Sequence, residues 1–342
     1  MKQDSTELIS VKGLNKHFKV LQKKPGFWGS IRALVSHDYR VVDAVKDINL
    51  EIRRGEMVGY VGPNGAGKST TIKMLTGILY PSSGKIRVGS LDPFKDRKKF
   101  TRTIGVMFGQ KTQLWWDLPL VESFDLLRYI YKIDTERYTK NINYFDSILG
   151  IKEYWQQPVR RLSLGQRVKG DLVAALLHDP EVLFLDEPTI GLDILARENF
   201  REMVLEINRK KNTTVMITSH DLADIERIAQ RLVLIDKGTI LYDGAIQQFL
   251  KKYGSKGKLV VYYRSKPREK KISENLYTAS RNPVKGIDSI TVDLNRIEIE
   301  FYREKMPYKK LLAMVSDIGD IEDIQIGSGE LEAILTGLYK SP

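Results

Sequence analysis

"MVGYVGPNGAGKST", residues 57–70, runs a compact apolar stretch into a glycine-rich turn and then into a helical pattern. Residues 62–70 fit G-x-x-x-x-G-K-[ST], and strand, turn and helix in that order are the setting the motif needs to act as a phosphate-binding loop. Gly62, Gly65 and Gly67 let backbone N–H groups converge on phosphate oxygens, which a side chain would obstruct. Asn64, Ala66 and Thr70 complete the candidate phosphate contacts, and the helix, expected from Lys68 to about Leu79, adds partial positive charge at its start. Lys68 supplies a full charge for the β- and γ-phosphates, and Ser69 a hydroxyl for Mg²⁺.

Such a loop needs a carboxylate for its metal, projecting from the end of a neighbouring buried strand. "LFLDEPTIGLD", residues 183–193, presses Asp186 and Glu187 against an apolar run that Pro188 then ends. The apolar residues fix both acids at a strand terminus. Asp186 is the candidate metal ligand, and Glu187 is placed to polarise an attacking water as general base.

Outward from these two stretches, short strand patterns alternate with helical ones, which argues for an α/β fold with a parallel sheet covered on both faces. "TIGVMFG", "VLFLD", "TTVMITS" and "RLVLID" read as buried strands, and residues 120–150 and 164–178 carry helical spacing. Beyond Gly244 the pattern changes to "KLVVYYR", "ITVDL", "RIEIEFY", the helical "PYKKLLAMVSDIG", the strand "IEDIQI" and a last helix "GELEAILTGLY", an order that suggests a small α+β domain. "LQKKPGFWGSIRALVSHDYR" interrupts the N-terminal strands. Phe27, Trp28, Ile31, Leu34 and Val35 fall on one helical face, which suits either a membrane surface or partner, or packing on its own domain.

A length of 342 residues suits about two domains, and no stretch reaches the ~18 apolar residues of a membrane span. There is no cysteine, which excludes disulfides and thiolate metal sites, and the polar start lacks the apolar centre of a secretory signal. The net charge of +12 is uneven: Lys251 to Lys310 holds sixteen basic and seven acidic residues. Such an excess fits an anionic partner or a solvated basic surface.

"RLSLGQR", residues 161–167, narrows the reading. With it, about residues 7–245 resemble the ATP-binding subunit of ABC transporters. "LSLGQ" looks like the family signature, "VMFGQ" carries Gln110 where the family has a glutamine that senses Mg²⁺ and the attacking water, "GLD" places Asp193 in the dimer-contact loop, and "ITSHD" places His220 as the switch histidine. The resemblance implies a P-loop NTPase (RecA-like) core with an N-terminal antiparallel β subdomain and a helical subdomain at about 111–165, within an ATP-binding domain of residues 1–245. A C-terminal α+β accessory domain, 246–342, would follow. It also implies ATP and Mg²⁺ as cofactors and a head-to-tail homodimer, or a pair with a similar ATPase. In that dimer Ser163, Gly165 and Gln166 of one chain meet the ATP on the loop of the other, His220 contacts the γ-phosphate of its own chain's ATP, and Asp193 couples the two sites. Metal contacts fall to Ser69, Gln110 and Asp186, and catalysis to Glu187 and His220. Leu164 departs from the signature's usual glycine, so its side chain has to point away from the phosphate. The adenine-stacking aromatic is Phe18 by spacing, with Tyr39 as the alternative.

The implied function is ATP hydrolysis powering a membrane transporter. The run "GQKTQLWWDLP" looks most like the drug- or polymer-exporting branch, with integral membrane permease subunits as partners and a peripheral place on the cytoplasmic face of the cell membrane. Trp115 and Trp116 are candidate docking residues. The competing reading is a soluble ATPase acting on nucleic acid. One cassette without sustained heptads speaks against it, so no nucleic acid is expected. A regulatory or assembly ATPase is a third reading.

Overall fold

The computed structural model describes residues 7–21, 39–109, 111–219, 222–253, 256–278, 280–302 and 305–326. The amphipathic stretch at 22–38, Gln110, His220 and the final helical pattern lie outside the described residues. The chain divides into two units, Met1–Gly244 and Ala245–Pro342.

The first unit opens with two long strands, β1 (Glu7–Leu21) and β2 (Tyr39–Arg53), paired antiparallel. β3 (Met57–Val61) leads into α1 (Lys68–Leu75), and β4 (Ser83–Val88) returns to β1, giving the antiparallel order β2-β1-β4. The short α2 (Arg97–Phe100) precedes β5 (Ile104–Phe108). The helical region comprises α3 (Leu120–Tyr131), α4 (Thr135–Leu149) and α5 (Leu164–Leu176). The single helical stretch expected at 120–150 is thus two helices. Lys132 turns left-handed at φ 55°, and Asp134 starts α4 by accepting the Arg137 N–H at 2.9 Å. α1 likewise stops at Leu75, short of the expected Leu79, where the Thr76 hydroxyl bonds back to the Ile72 carbonyl.

β6 (Val182–Asp186), α6 (Ile194–Lys211), β7 (Thr214–Thr218), α7 (Leu222–Ile228), β8 (Arg231–Asp236) and β9 (Thr239–Ala245) complete the unit. The main sheet runs β5-β6-β7-β3-β8-β9. Its pairs from β5 to β8 are parallel, and β3, β6 and β7 are buried along their whole length, which is why their sequences are unbroken apolar runs. One core joins the two sheets and α1: Ile9, Val11, Ile48 and Leu50 meet Val58, Tyr60, Ile72, Phe184, Met216 and Val233.

The second unit begins with α8 (Ile246–Tyr253). It continues with β10 (Lys256–Tyr263), α9 (Glu269–Leu276), β11 (Ile287–Asp293), β12 (Arg296–Tyr302), α10 (Tyr308–Ser316) and β13 (Ile321–Ile326). The sheet order is β11-β12-β10-β13 with antiparallel neighbours, a βαββαβ arrangement of ferredoxin-like topology. Leu259, Val261, Ile297, Ile299 and Phe301 pack against Ile272 and Leu276 of α9 and Leu311 and Val315 of α10.

Candidate active site

In an open α/β sheet, ligands gather beyond the carboxyl ends of the strands. β3 delivers the glycine-rich loop there. Gly67 caps α1 at φ 107°, and a Cβ at that position would lie 2.4 Å from the Ala44 carbonyl of β2, so the tight approach of loop to β2 requires glycine. Lys68 is buried at 5% exposure, and its Nζ donates to the Gly62 and Pro63 carbonyls at 2.8 and 3.2 Å. Burial lowers the pKa of this ammonium, and the Glu187 and Asp186 carboxylates beside it oppose the shift.

The two acids come from β6, with β7 standing between it and β3. Phe108, Asp186 and Thr218 are paired in register across β5, β6 and β7, so they form one row at the carboxyl edge of the sheet. Asp186 Oδ1 accepts from the Thr218 hydroxyl at 2.7 Å and from the Ser69 hydroxyl at 3.2 Å. Glu187 sits at φ 55°, a left-handed conformation that a non-glycine residue adopts only when its surroundings impose it. Thr218 imposes it in part: its carbonyl and its hydroxyl both accept the Glu187 N–H at 3.1 Å. Gly109 closes the other side, where a Cβ would fall 1.9 Å from the Glu187 carbonyl oxygen.

Ser69, Asp186 and Glu187, with Lys73, Ile78, Phe108, Gly109 and Lys111, line a cavity of about 470 Å³. A hydroxyl and a carboxylate converging on one point form an all-oxygen donor set of the kind Mg²⁺ takes, so these residues fit that ion.

The signature residues stand at the start of α5 in a capping box. Ser163 Oγ accepts the Gln166 N–H at 3.2 Å, and Gln166 Oε1 accepts the Ser163 N–H at 2.9 Å. Leu164 turns toward Gly191 of the "GLD" turn: its Cδ2 is 3.1 Å from where a Gly191 Cβ would be, and Gly191 has φ 79°. Gly165 faces Ala196 of α6. Asp193 caps α6 by accepting the Ala196 N–H at 2.8 Å. Ile194 and Leu195 beside it are 88% and 72% exposed.

Phe18 lies opposite Val42 across β1 and β2, two residues along β2 from the Ala44 that abuts the phosphate loop. Tyr39 is farther along β2 and, by the alternation of a strand, on its other face.

The sequence reading missed two residues that hold this site. Thr218 ends an apolar strand and reads there only as a β-former. Asp224 of α7 is fully buried and accepts from the Thr189 hydroxyl at 2.6 Å, Arg201 Nε at 2.5 Å and the Ser219 hydroxyl at 3.3 Å. It thereby clamps the turn after the acids to α6 and to the end of β7. Its pattern on a short helix gives no sequence signal.

The ABC transporter family profile matches residues 45–190, from the middle of β2 through the acids. The ABC transporter ATP-binding protein NatA of Bacillus subtilis is 33% identical over 208 residues, covering 61% of this chain and 84% of that protein. The chain belongs to the ATP-binding subunits of ABC transporters. The bacitracin transport ATP-binding protein BcrA of Bacillus licheniformis is 33% identical over 199 residues, 58% of this chain and 63% of the relative's length. Among solved structures, the ATP-binding cassette MJ0796, determined as a dimer in a post-hydrolysis state with ADP and Pi, shares the fold. Its TM-score is 0.57 at 22% identity, over 70% of this chain and 99% of that one. As a member of this family the chain binds ATP and hydrolyses it, and it serves a transporter. No helix among the described residues is long and apolar enough to cross a membrane.

Proposed function

We propose that two copies of this chain, or this chain and a similar ATPase, close head to tail on two ATP molecules and so drive an exporter through integral membrane permease subunits. The observation that carries the reading is the row at the sheet edge, in which Ser69 and Asp186 share one hydrogen bond while Glu187 is locked beside them by Thr218. In this reading Lys68 and the N–H groups from Gly62 to Thr70 hold the β- and γ-phosphates, and Phe18 stacks on adenine. Ser69 and Asp186, with Gln110, hold Mg²⁺, which when bound supplies charge neutralisation at the phosphates. Glu187 accepts a proton from the attacking water, and His220 contacts the γ-phosphate.

Ser163, the Gly165 N–H and Gln166 meet the ATP of the second copy. Asp193 caps α6 next to the exposed Ile194 and Leu195, apolar surface that a second copy would cover. The dimeric state of the MJ0796 cassette supports the arrangement. Export is the reading of the run "GQKTQLWWDLP", and the exposed Trp115 and Trp116 suit a permease contact.

Glu187→Gln tests the core of the proposal. It keeps shape and hydrogen bonding but loses the base, so ATP binding survives while turnover falls roughly 10²–10⁴-fold. With closure no longer discharged, size-exclusion chromatography with ATP and Mg²⁺ shows a dimer. Near-normal phosphate release would remove Glu187 from the base role, and a monomer at saturating ATP would refute closure by the chain alone.

A further inference from the structure

The loop that follows Gln110 is gripped by one face of the helix that carries the signature. Arg167, Gly170 and Asp171 of α5 are spaced i, i+3 and i+4 and so lie side by side. Each takes a different part of the loop. The Arg167 guanidinium lies 5.2 Å from the centre of the Trp116 ring, within cation–π range. Gly170 leaves room for Leu114, whose Cδ1 would be only 3.0 Å from an added Cβ.

Asp171 does the most. Its Oδ1 accepts from the Thr112 hydroxyl at 2.8 Å and from the Gln113 N–H at 3.0 Å, and its main-chain carbonyl accepts from Gln113 Nε2 at 2.9 Å. Thr112 passes the restraint on, because its Oγ1 accepts the Leu114 N–H at 3.1 Å. Asp171 is only 6% exposed. A carboxylate buried on a helix interior costs stability unless its partners repay it. Both carboxylate bonds go to the loop, and within α5 the acid meets only the charge of Arg167 one turn earlier.

We propose that Asp171 is a positioning residue, which locks the loop at 112–116 to the signature helix so that the two move as one rigid body. Only Lys111 separates this loop from Gln110, the signature stands two turns up the same helix, and the exposed Trp115 and Trp116 stand at the loop's far end. A displacement of the signature when the second copy closes on ATP therefore carries the start of the loop, and with it the register of Gln110 at the attacking water. The same displacement carries the tryptophans. This rests on the roles proposed above for Gln110 and the signature. The lock depends on an acceptor at Oδ1, not on charge: both side-chain bonds end on one oxygen, which an amide also provides.

The test compares kcat and KM for ATP in the full chain carrying Asp171→Asn, Asp171→Leu, Thr112→Val, and Asp171→Leu with Thr112→Val. A shift of about 1 Å in a group near the chemistry costs on the order of 10²-fold, so Asp171→Leu and Thr112→Val are expected to lower kcat at least ~10-fold. KM is expected to stay within about twofold, because the phosphate loop is untouched. Asp171→Asn should stay near the parent rate, and the double variant should be no slower than Asp171→Leu alone. A general loss of structure would instead raise KM and lower kcat together, and the Asn variant would not escape it.

Unchanged kcat in Asp171→Leu, or rate losses that multiply in the double variant, overturns the proposal. Should Asp171→Leu fail to fold, Thr112→Val decides alone, since it removes one hydroxyl at constant shape. Gln110→Ala separates the two readings. If it leaves turnover intact, the site assignment falls and the lock's effect on rate falls with it. If it slows turnover while Asp171→Leu does not, only the lock is refuted.

Discussion

Thr218→Val is the sharpest probe of the paired acids, because it removes one oxygen and leaves the shape of a fully buried side chain unchanged. That oxygen donates to Asp186 Oδ1 at 2.7 Å and accepts the Glu187 N–H at 3.1 Å. The N–H keeps a partner in the Thr218 carbonyl, so the loss falls on the bond to the carboxylate. A hydrogen bond to a charged group contributes about 1.5–3 kcal/mol net, which converts to roughly 10- to 150-fold in an equilibrium. Among the described side chains Asp186 would then keep only the Ser69 hydroxyl, and in the proposed site Ser69 is itself drawn to the metal. ATPase rates measured against free Mg²⁺ at saturating ATP should show a midpoint displaced upward by that factor. Thr218→Ser keeps the hydroxyl and should restore most of it. A valine variant with the parent's Mg²⁺ midpoint, or a serine variant as impaired as valine, would refute the argument that this hydroxyl positions the metal ligand.

Lys68→Ala removes the ammonium from beneath the phosphate loop. Equilibrium binding of a labelled ATP analogue should weaken by at least ~10-fold, the scale of a charge-assisted hydrogen bond, and unchanged affinity would take Lys68 out of the site. Asp171 also predicts a pH effect on stability. Burial pushes its carboxyl up to about 6, against about 3.9 in an unfolded chain. Between those values the folded chain holds a proton that the unfolded chain has lost, so this contribution to stability is present at low pH and is lost as pH rises through about 6. From pH 5 to pH 7.5 the loss is about 1.4 kcal/mol. Asp171→Asn lacks it, so the stability difference between Asn variant and parent in urea denaturation should grow by that amount in the variant's favour.

The phosphate loop and the acids are legible in the sequence because their chemistry demands particular residue types next to an apolar strand. Asp186 stands at the sheet edge, where the proposed metal would bind, because "VLFLD" ends there, and Gly67 cannot approach Ala44 with a side chain. Thr218 is illegible for the opposite reason: threonine closes many strands, and only the register of β6 against β7 sets its hydroxyl against Asp186. Asp171 reads as a solvated helix position until α5 is packed on the 112–116 loop. The break between α3 and α4 is marked in the sequence by Asp134, a helix-starting residue inside an apolar pattern that runs on through it. In the second unit, α9 carries only Ile272 and Leu276 as buried residues, too few for its periodicity to stand out beside two lysines and two glutamates.

The capping box at Ser163 has a consequence for how this chain responds to selection. The cap uses the hydroxyl's lone pair, toward the Gln166 N–H, and leaves its proton to be given outward. An aspartate at this position would cap α5 about as well and would favour the positive end of the helix. In the proposed head-to-tail dimer it would also have no proton to give and would set a negative charge against the second copy's phosphate. A screen that scored only heat resistance would therefore enrich Ser163→Asp, while one that scored transport would discard it. Position 163 ranks its residues in opposite orders for robustness and for work, and serine is the compromise that serves the work.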